Sequence, residues 1–261
     1  MSAARRPRKR ERQERILAEL HADPAVRIGA LAETFGVSSE TVRRDLDELS
    51  RDGRVNRTYG GAALPPMGVE ASLNERYRRL VDERTRIGRL AATLVAPGEV
   101  LMIDAGSTTA HLARRLAAEL ADLTVVTNGL GLATILGTNP GIRVILCPGA
   151  YDAREGAVLG PETTAFLERF HANTALIGAS GLTPEGPGEA NAGAVWVKRA
   201  MIARSQRHVL LVDRSKFDQP SFQVVCPLTA LDDMVVDAPP GGALAEAVAA
   251  AGIALRVAPS G

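Results

Sequence analysis

A loop suited to binding a phosphate group lies near the middle of the chain. It reads Asp104-Ala105-Gly106-Ser107-Thr108-Thr109, follows an apolar segment and precedes a predicted helix at residues 111–120. The glycine permits close backbone approach, the hydroxyls donate hydrogen bonds, and the helix N-terminus offers free N–H groups and a positive dipole end. The lysine and spacing of a Walker A loop are absent. For this loop alone, an ordinary strand-to-helix turn is the alternative.

Two further polar loops also follow apolar segments. They read Thr127-Asn128-Gly129-Leu130-Gly131 and Gly178-Ala179-Ser180-Gly181-Leu182. The first only half matches a dinucleotide-binding GxGxxG pattern, and Asn-Gly is a common turn. Neither loop is decisive alone. Together with the first loop, however, they would meet at the carboxyl ends of parallel strands, where an open α/β sheet binds its ligand.

Lysine is scarce in this chain, which contains three lysines and 28 arginines. Lys198 lies in a predicted helix at residues 194–205, and Lys216 comes just after a predicted strand, in the run Asp213-Arg214-Ser215-Lys216-Phe217. Lysine supplies a compact, mobile cation, whereas arginine supplies a planar fork. We interpret Lys198 and Lys216 as ligand-binding cations; the alternative is two accidental surface lysines.

The N-terminal part of the chain has a helix-turn-helix pattern. Predicted helices at residues 28–35 and 39–51 are joined by Gly36 and a tight turn, and Ser38 or Ser39 caps the second helix. A helix that enters the major groove of DNA needs hydrogen-bonding side chains in its first turn and an apolar inner face. Val42 and Leu46 provide the apolar face. The hydrogen-bonding side chains are Ser38, Ser39, Glu40, Thr41, Arg43 and Arg44.

A short alternating segment at residues 54–59 predicts the strand of a hairpin, since Asp52-Gly53 and Gly60-Gly61 flank it. Its side chains Arg54, Arg57 and Tyr59 suit contact with the DNA backbone as a wing. Arg43 or Arg44 could bind a guanine in bidentate fashion or a phosphate, and the sequence does not decide which. A solvated surface helix is the alternative, because acidic residues follow the arginine pair.

The remainder of the chain alternates strands with helices. Apolar strands are predicted at residues 100–104, 123–127, 142–147, 174–177, 208–213, 234–236 and 253–257. A long arginine-rich helix is predicted before them, at residues 71–95, and helices follow most of the strands. This alternation indicates an α/β fold with a mostly parallel, doubly wound sheet that is covered on both faces.

Length and composition narrow the class of protein. The chain has 261 residues, of which 46% are hydrophobic and 23% charged, so we expect a globular protein of two domains. Residues 1–62 carry a net charge of +3 and residues 63–261 a net charge of −2. We predict no transmembrane helix, no signal peptide and no metal site, and we expect the two cysteines to be buried thiols of a cytoplasmic protein.

The N-terminal residues resemble a known DNA-binding signature. The run from Ala32 to Leu46, with Asp52-Gly53 and Gly60-Gly61-Ala62, closely resembles that of DeoR-type bacterial transcription regulators. The resemblance implies a winged helix-turn-helix whose recognition helix opens with residues 38–44. The basic residues between Arg5 and Arg10 either reach DNA phosphates or form a solvated tail.

The resemblance continues through the second half, over roughly residues 12 to 258. It implies a C-terminal domain related in fold to phosphosugar isomerases, which senses a phosphorylated sugar. The matching positions imply effector-binding residues, namely Asp104, Gly106, Ser107, Thr108, Thr109, Thr127, Asn128, Gly149, Gly178, Ser180, Gly181, Lys198 and Lys216. Two departures bear on which effector is bound: Cys147-Pro148 precedes Gly149 where a double glycine is usual, and Arg84 stands where lysine is common.

These observations predict four segments: a basic disordered tail at 1–11, a winged helix-turn-helix at 12–62, a linker and connecting helix at 63–95, and an effector-binding α/β domain at 96–261. We expect a repressor of sugar catabolism genes that binds double-stranded operator DNA as a homodimer or homotetramer and needs no cofactor. The acidic pair of the isomerases is not apparent near Ala179-Ser180, which argues against catalysis. The alternatives are an isomerase-like enzyme with an appended DNA-binding module and a DNA-binding protein without an effector.

Overall fold

A computed structural model describes residues 7–23, 25–64 and 70–259 of the chain. The contacts divide the chain into two compact units, residues 1–69 and residues 70–261. Residues 1–6 of the predicted basic tail and the Pro65-Pro66-Met67-Gly68 part of the predicted linker lie outside the described residues.

The N-terminal unit has three helices and a small antiparallel sheet in its described residues. Its elements are α1 (Lys9–Ala22), β1 (Ala25–Arg27), α2 (Ile28–Phe35), α3 (Ser39–Arg51), β2 (Asn56–Thr58) and β3 (Gly61–Ala63). The strands are ordered β1-β3-β2. The helix-turn-helix is therefore α2 and α3, and β2 with β3 forms the wing.

Local chemistry explains the turn before α3. Gly36 has φ of 62°, a left-handed conformation that favours glycine, and it ends α2. The Ser38 hydroxyl accepts a hydrogen bond from the Thr41 N–H at 3.2 Å, so Ser38 is the residue that caps α3. Val42 and Leu46 then lie fully buried on the inner face of the helix, as predicted.

Helix α1 begins earlier than the sequence indicated. We predicted a disordered tail through residue 11, but residues 9–11 form the first turn of α1. Contacts with α3 account for the earlier start: the Lys9 ammonium lies 2.7 Å from the Glu48 carboxylate, and Arg12 forms a buried ion pair with Asp45 at 2.5 Å.

The wing strand is shorter than predicted, and the unit contains one strand that was not predicted. Strand β2 covers three residues, so Arg54 and Tyr59 flank the strand instead of lying in it. The additional strand, β1, pairs with β3, with Val26 opposite Ala62.

The C-terminal unit begins with two short helices and a parallel βα region. The elements of its first half are α4 (Leu73–Arg76), α5 (Val81–Ala92), β4 (Val100–Ile103), α6 (Ser107–Glu119), β5 (Leu123–Thr127), α7 (Leu130–Leu136), β6 (Ile142–Leu146), β7 (Ala150–Asp152) and β8 (Ala157–Leu159). Strands β7 and β8 form an antiparallel hairpin, which was not predicted from the sequence.

The second half continues the alternation. Its elements are α8 (Pro161–Leu167), β9 (Ala172–Ile177), β10 (Gly181–Thr183), β11 (Gly186–Glu189), α9 (Ala192–Ala203), β12 (Ser205–Leu211), β13 (Gln223–Val224), β14 (Asp233–Val236), α10 (Gly242–Ala250) and β15 (Ala254–Val257). Two 3-10 helices lie at Arg214–Lys216 and Leu228–Ala230. Strands β10, β11 and β13 form a small antiparallel sheet.

The central sheet has seven parallel strands in the order β15-β14-β12-β9-β4-β5-β6. Alternate residues of each strand enter different cores. Leu101 and Ile103 pack in the cluster that contains the buried residues of α5, α6 and α7, whereas Met102 packs with those of α8 and α9. Helices therefore cover both faces, which confirms the predicted doubly wound α/β fold.

The predicted long helix at residues 71–95 is wrong, because α4 and α5 are separated by a turn. Leu80 adopts a left-handed conformation, with φ of 50°, and precedes the first residue of α5. Helix α5 is not an independent connector either. Ile87 is fully buried in the core of the C-terminal unit, and a Cβ added at Gly88 would lie 2.6 Å from the His111 backbone of α6.

Several features bear on the classes of site and protein. Among the described residues, no helix is long and apolar enough to cross a membrane. Within the same residues, no group of three or more His, Cys, Asp and Glu side chains is arranged to hold a metal ion. Cys147 is a buried free thiol, and Cys226 is a half-buried one.

Candidate functional site

A polar pocket lies where the order of the parallel strands reverses. Strand β4 has β5 on one side and β9 on the other, so the chain runs outward in both directions from this point. Such a switch point leaves a crevice at the carboxyl ends of the strands. Asp104 directly follows β4, and Gly178 directly follows β9. The pocket between them encloses about 550 Å³, including space that is open to solvent.

The pocket brings together most of the predicted effector-binding residues. Those that line it are Asp104, Gly106, Ser107, Thr108, Asn128, Gly178, Lys198 and Lys216. Helix α6 begins at Ser107, four residues earlier than predicted, so the hydroxyls of Ser107 and Thr108 lie in its first turn. The N–H groups in the first turn of a helix have no partner within the helix, so this end of α6 favours binding of an anion.

Two of the predicted threonines support the loops instead of lining the pocket. The Thr109 hydroxyl donates to the Asp104 carbonyl oxygen at 2.8 Å. The Thr127 hydroxyl accepts from the Gly129 N–H at 3.1 Å, which shapes the loop after β5. Both side chains are completely buried, so they hold the backbone that presents neighbouring residues to the pocket.

The predicted glycines at 149 and 181 are also outside the pocket lining. Gly149 has φ of 145°, and a Cβ there would lie 2.2 Å from the Thr163 hydroxyl. A Cβ at Gly181 would lie 2.1 Å from the Gln219 carbonyl oxygen. Both positions therefore need glycine for close packing of loops. Ser180 likewise does not line the pocket, but its hydroxyl contacts two carboxylates that do.

Asn128 joins two of the pocket loops. Its side-chain oxygen accepts from the Ala105 N–H at 3.0 Å, and its amide nitrogen donates to the Val158 carbonyl oxygen at 3.2 Å. Because Ala105 precedes α6 and Val158 lies in β8, one side chain fixes the phosphate-type loop against the β7–β8 hairpin. An apolar replacement would leave a buried donor and acceptor without partners.

A buried ion cluster surrounds Lys198, which is 3% exposed. Its ammonium contacts the Asp104 carboxylate, lies 3.0 Å from the Glu189 carboxylate, and donates to the Gly178 carbonyl oxygen at 3.0 Å. An ammonium has three N–H donors, and these three acceptors match that number. Lys198 therefore ties the carboxyl ends of β4 and β9 to α9.

A second ion cluster surrounds Glu70, the first residue of the C-terminal unit. Lys216 donates to one carboxylate oxygen at 2.5 Å. The other oxygen accepts from Arg76 and, at 2.7 Å, from the Ser180 hydroxyl. Arg76 also donates to the Glu155 carboxylate at 2.7 Å.

Asp213 fixes the position of Lys216. Its carboxylate caps the 3-10 helix Arg214–Lys216 by accepting from the Ser215 N–H at 3.0 Å. Arg84 of α5 donates to the same carboxylate at 2.9 Å. Burial alone would raise the pKa of Asp213, but the positive charges of Arg84 and Lys216 outweigh it and lower the pKa.

The two ion clusters have opposite effects on their glutamates. Burial opposes ionisation of Glu70, but Lys216 and Arg76 outweigh burial and lower its pKa from 4.5 to about 2. For Glu189, burial dominates over the attraction of Lys198, and the nearby carboxylates of Glu70 and Asp104 add to it, so its pKa is raised. Glu70 is therefore an anion at neutral pH, whereas Glu189 protonates more readily than an ordinary glutamate.

The lowered pKa of Glu70 predicts how stability depends on pH. Because the folded-state pKa lies below that of the unfolded chain, the contribution of Glu70 is present above pH 4.5 and is lost as the pH falls towards 2. It amounts to about 3 kcal/mol. The free energy of unfolding, measured by urea titration between pH 6 and pH 2.5, should therefore fall less in Glu70→Gln than in the wild type. Parallel curves would contradict the assignment.

Sequence reasoning missed the charged residues that complete the pocket, namely Glu70, Arg76, Glu155 and Glu189. The sequence showed no acidic pair at Ala179-Ser180, but the β10–β11 hairpin returns the chain and sets one acidic group, the Glu189 carboxylate, 2.8 Å from the Ser180 hydroxyl. The GPGE sequence at residues 186–189 offers a turn signal but no indication of this contact.

The predicted DNA-contacting side chains of α3 lie on its exposed face. The side chains of Arg43 and Arg44 are 55% and 76% exposed. Both lie close to the Glu40 carboxylate, at 3.6 Å and 3.4 Å. In the wing, Arg57 lies 3.4 Å from the Asp47 carboxylate. Tyr59 is completely exposed at the hairpin turn, an unusual position for a large aromatic ring without a partner surface.

These features define a class of protein: a winged helix-turn-helix that presents arginines, linked to an α/β unit with a small-molecule pocket. Comparison with known families then identifies it. Residues 12–66 match the DeoR-like helix-turn-helix domain, and residues 79–238 match the DeoR C terminal sensor domain. The chain belongs to the DeoR family of DNA-binding transcription regulators, which are not enzymes.

Curated relatives agree with this family. The glycerol-3-phosphate regulon repressor of Escherichia coli (strain K12) is 35% identical over 211 residues, which is 80% of this chain and 83% of that protein. The HTH-type transcriptional repressor GlcR of Bacillus subtilis (strain 168) is 33% identical over 222 residues, 85% of each chain. Among solved structures, a ribose-5-phosphate isomerase with phospho-erythronic acid bound has a TM-score of 0.40 and 16% identity, covering 52% of this chain and 54% of that chain.

Proposed function

We propose that the chain represses sugar catabolism genes and that a phosphorylated sugar bound in the pocket controls its affinity for operator DNA. The pocket at the switch point carries this proposal. It combines the first turn of α6, two hydroxyl side chains and the ammonium of Lys216, which together suit a phosphate. Two relatives are named as repressors, which supports repression as the effect of this protein on transcription.

The sugar phosphate would contact both ends of this pocket. Its phosphate would bind Ser107, Thr108 and Lys216, and its hydroxyl groups would bind Asn128 and neighbouring carboxyl groups. Lys198 lines the pocket, but its three donors already have acceptors. In this proposal Lys198 holds the pocket together, and Lys216 binds the phosphate.

The operator would be bound through α3 and the wing. The first turn of α3 would enter the major groove, with Arg43 and Arg44 contacting bases or phosphates, and Ser38, Ser39, Glu40 and Thr41 beside them. Arg54, Arg57 and Tyr59 would contact the adjacent DNA backbone. Because a helix-turn-helix usually binds paired half-sites, we infer a homodimer or homotetramer. Both partners occur in the bacterial cytoplasm, which is where we expect the protein.

Replacing Lys216 with alanine tests the proposed pocket. A screen of sugar phosphates against the full chain should find at least one that raises the melting temperature of the wild type. Lys216→Ala should weaken binding of that compound by about 10- to 100-fold, because a charge-assisted hydrogen bond contributes about 1.5–3 kcal/mol.

Lys9→Ala is the matched control, since it removes an exposed lysine of the N-terminal unit. Its affinity for the sugar phosphate should equal that of the wild type. Equal affinities of Lys216→Ala and the wild type would show that Lys216 does not bind the ligand. A screen in which no phosphorylated compound stabilises the protein would contradict the proposed function.

A further inference from the structure

The cations needed by a phosphate are already occupied by a side chain of the protein. One carboxylate, that of Glu70, accepts hydrogen bonds from Lys216, Arg76 and Ser180. Two cations and a hydroxyl around two oxygens is the set of contacts that a bound phosphate takes. Glu70 and the first turn of α6 line the same pocket.

The charges of the pocket do not leave room for an additional anion. Its lining includes four carboxyl groups, those of Glu70, Asp104, Glu155 and Glu189, but three cations. A phosphate monoester adds a charge of about −1.5 to −2 at neutral pH. In a partly buried pocket this excess of negative charge is costly. An entering phosphate is therefore favoured if one carboxylate leaves.

Glu70 is the carboxylate that contacts Lys216, and it lies outside the helices and strands of the described residues. Asp104 accepts two hydrogen bonds from the Gly178 N–H at 3.2 Å and contacts the buried Lys198. Glu189 lies within strand β11. Glu70, in contrast, lies in no helix or strand and precedes α4 by three residues. Its movement would break side-chain contacts without breaking a strand ladder or a helix.

We propose that Glu70 is an internal competitor of the ligand: its carboxylate holds Lys216 and Arg76 when the pocket is empty, and the phosphate displaces it. This inference rests on the proposed function, because it assumes that the pocket binds a phosphorylated compound. It assigns to Glu70 a regulatory role in addition to its ion pairs.

The position of Glu70 in the sequence would link this exchange to DNA binding. It is the first residue of the C-terminal unit, and the chain continues from it towards the helix-turn-helix. A ligand that binds more tightly once Glu70 has left shifts the protein towards that state. By reciprocity, a change in operator affinity between the two states appears as a change in ligand affinity when DNA is bound.

The test is a calorimetric titration of the full chain with inorganic phosphate at constant ionic strength. Glu70→Gln removes the negative charge but keeps the shape of the side chain. It should bind phosphate at least about tenfold more tightly than the wild type, which corresponds to 1.4 kcal/mol. Glu70→Ala, which removes both oxygens, should shift the affinity in the same direction, and melting curves of both variants check that they fold.

Glu155→Gln is the matched control. It also removes a carboxylate from Arg76 and from the pocket lining, but it does not contact Lys216. Its phosphate affinity should rise by less than about threefold, as expected for a change of local charge alone. Equal gains in Glu70→Gln and Glu155→Gln would overturn the inference, because the effect would then be general electrostatics.

The remaining outcomes separate the inference from the proposed function. Phosphate binding that requires Lys216 but is equal in the wild type and Glu70→Gln would overturn the inference and leave the proposed function intact. Failure of all these proteins to bind phosphate would overturn the inference, whereas the proposed function is contradicted only if the screen of sugar phosphates also finds no ligand.

Discussion

Replacing Arg43 and Arg44 together with alanine should lower the affinity for operator DNA by about 100-fold or more, since each arginine that contacts a base contributes about 1–3 kcal/mol. The side chains are exposed on the first two turns of α3, and their nearest described carboxylate is that of Glu40 at 3.4–3.6 Å. Exposed ion pairs of this kind contribute little to stability. The double variant should therefore fold normally, and fluorescence anisotropy with labelled operator DNA measures its affinity.

A matched variant removes the same charge from the same unit. Arg15→Ala with Arg51→Ala removes one exposed arginine of α1 and one at the C-terminal end of α3. It should reduce operator affinity by less than about tenfold, because it removes only the salt-dependent attraction to DNA phosphates. Equal losses in the two double variants would contradict the recognition-helix assignment. Binding of the sugar phosphate should be the same in both.

Replacing Lys198 with methionine should destabilise the C-terminal unit by about 3–5 kcal/mol, the cost of removing one partner of a buried ion pair. The substitution leaves the Asp104 carboxylate without its ammonium in a site where that carboxylate is 2% exposed. Glu189, whose pKa is already raised, can become neutral by protonation. That change does not compensate the unpaired charge of Asp104. Urea unfolding followed by circular dichroism measures the loss.

A second substitution distinguishes the lost ion pair from a packing defect. Asp104→Asn can still accept from the Gly178 N–H but carries no charge. The double variant Asp104→Asn with Lys198→Met should therefore be more stable than Lys198→Met alone. A double variant that is as unstable as the single one would show that Lys198 acts through packing.

The sequence predicted those parts of the site that depend on local order along the chain. Gly36 ends α2 and Ser38 caps the start of α3, as the sequence indicated. Asp104, Asn128 and Gly178 were predicted to meet because parallel strands end at one edge of a sheet, and they line one pocket. In each case the physical rule involves neighbouring residues or the period of a strand.

Contacts between distant segments could not be predicted in this way. Glu70 meets Lys216 across 146 positions of sequence, and Glu189 reaches the pocket only because the β10–β11 hairpin reverses the chain. The break between α4 and α5 depends on a left-handed leucine, Leu80, whose residue type does not favour that conformation. The early start of α1 is accompanied by an ion pair between Lys9 and Glu48, a residue of α3.

The proposed control of operator binding by a sugar phosphate is tested by measuring operator affinity with and without that compound. We expect a saturating concentration of the stabilising compound to change the operator affinity of the wild type by at least about fivefold, the lower end of typical allosteric coupling. In Lys216→Ala the same concentration should change it much less. An operator affinity that is identical with and without every compound that binds the pocket would contradict the account.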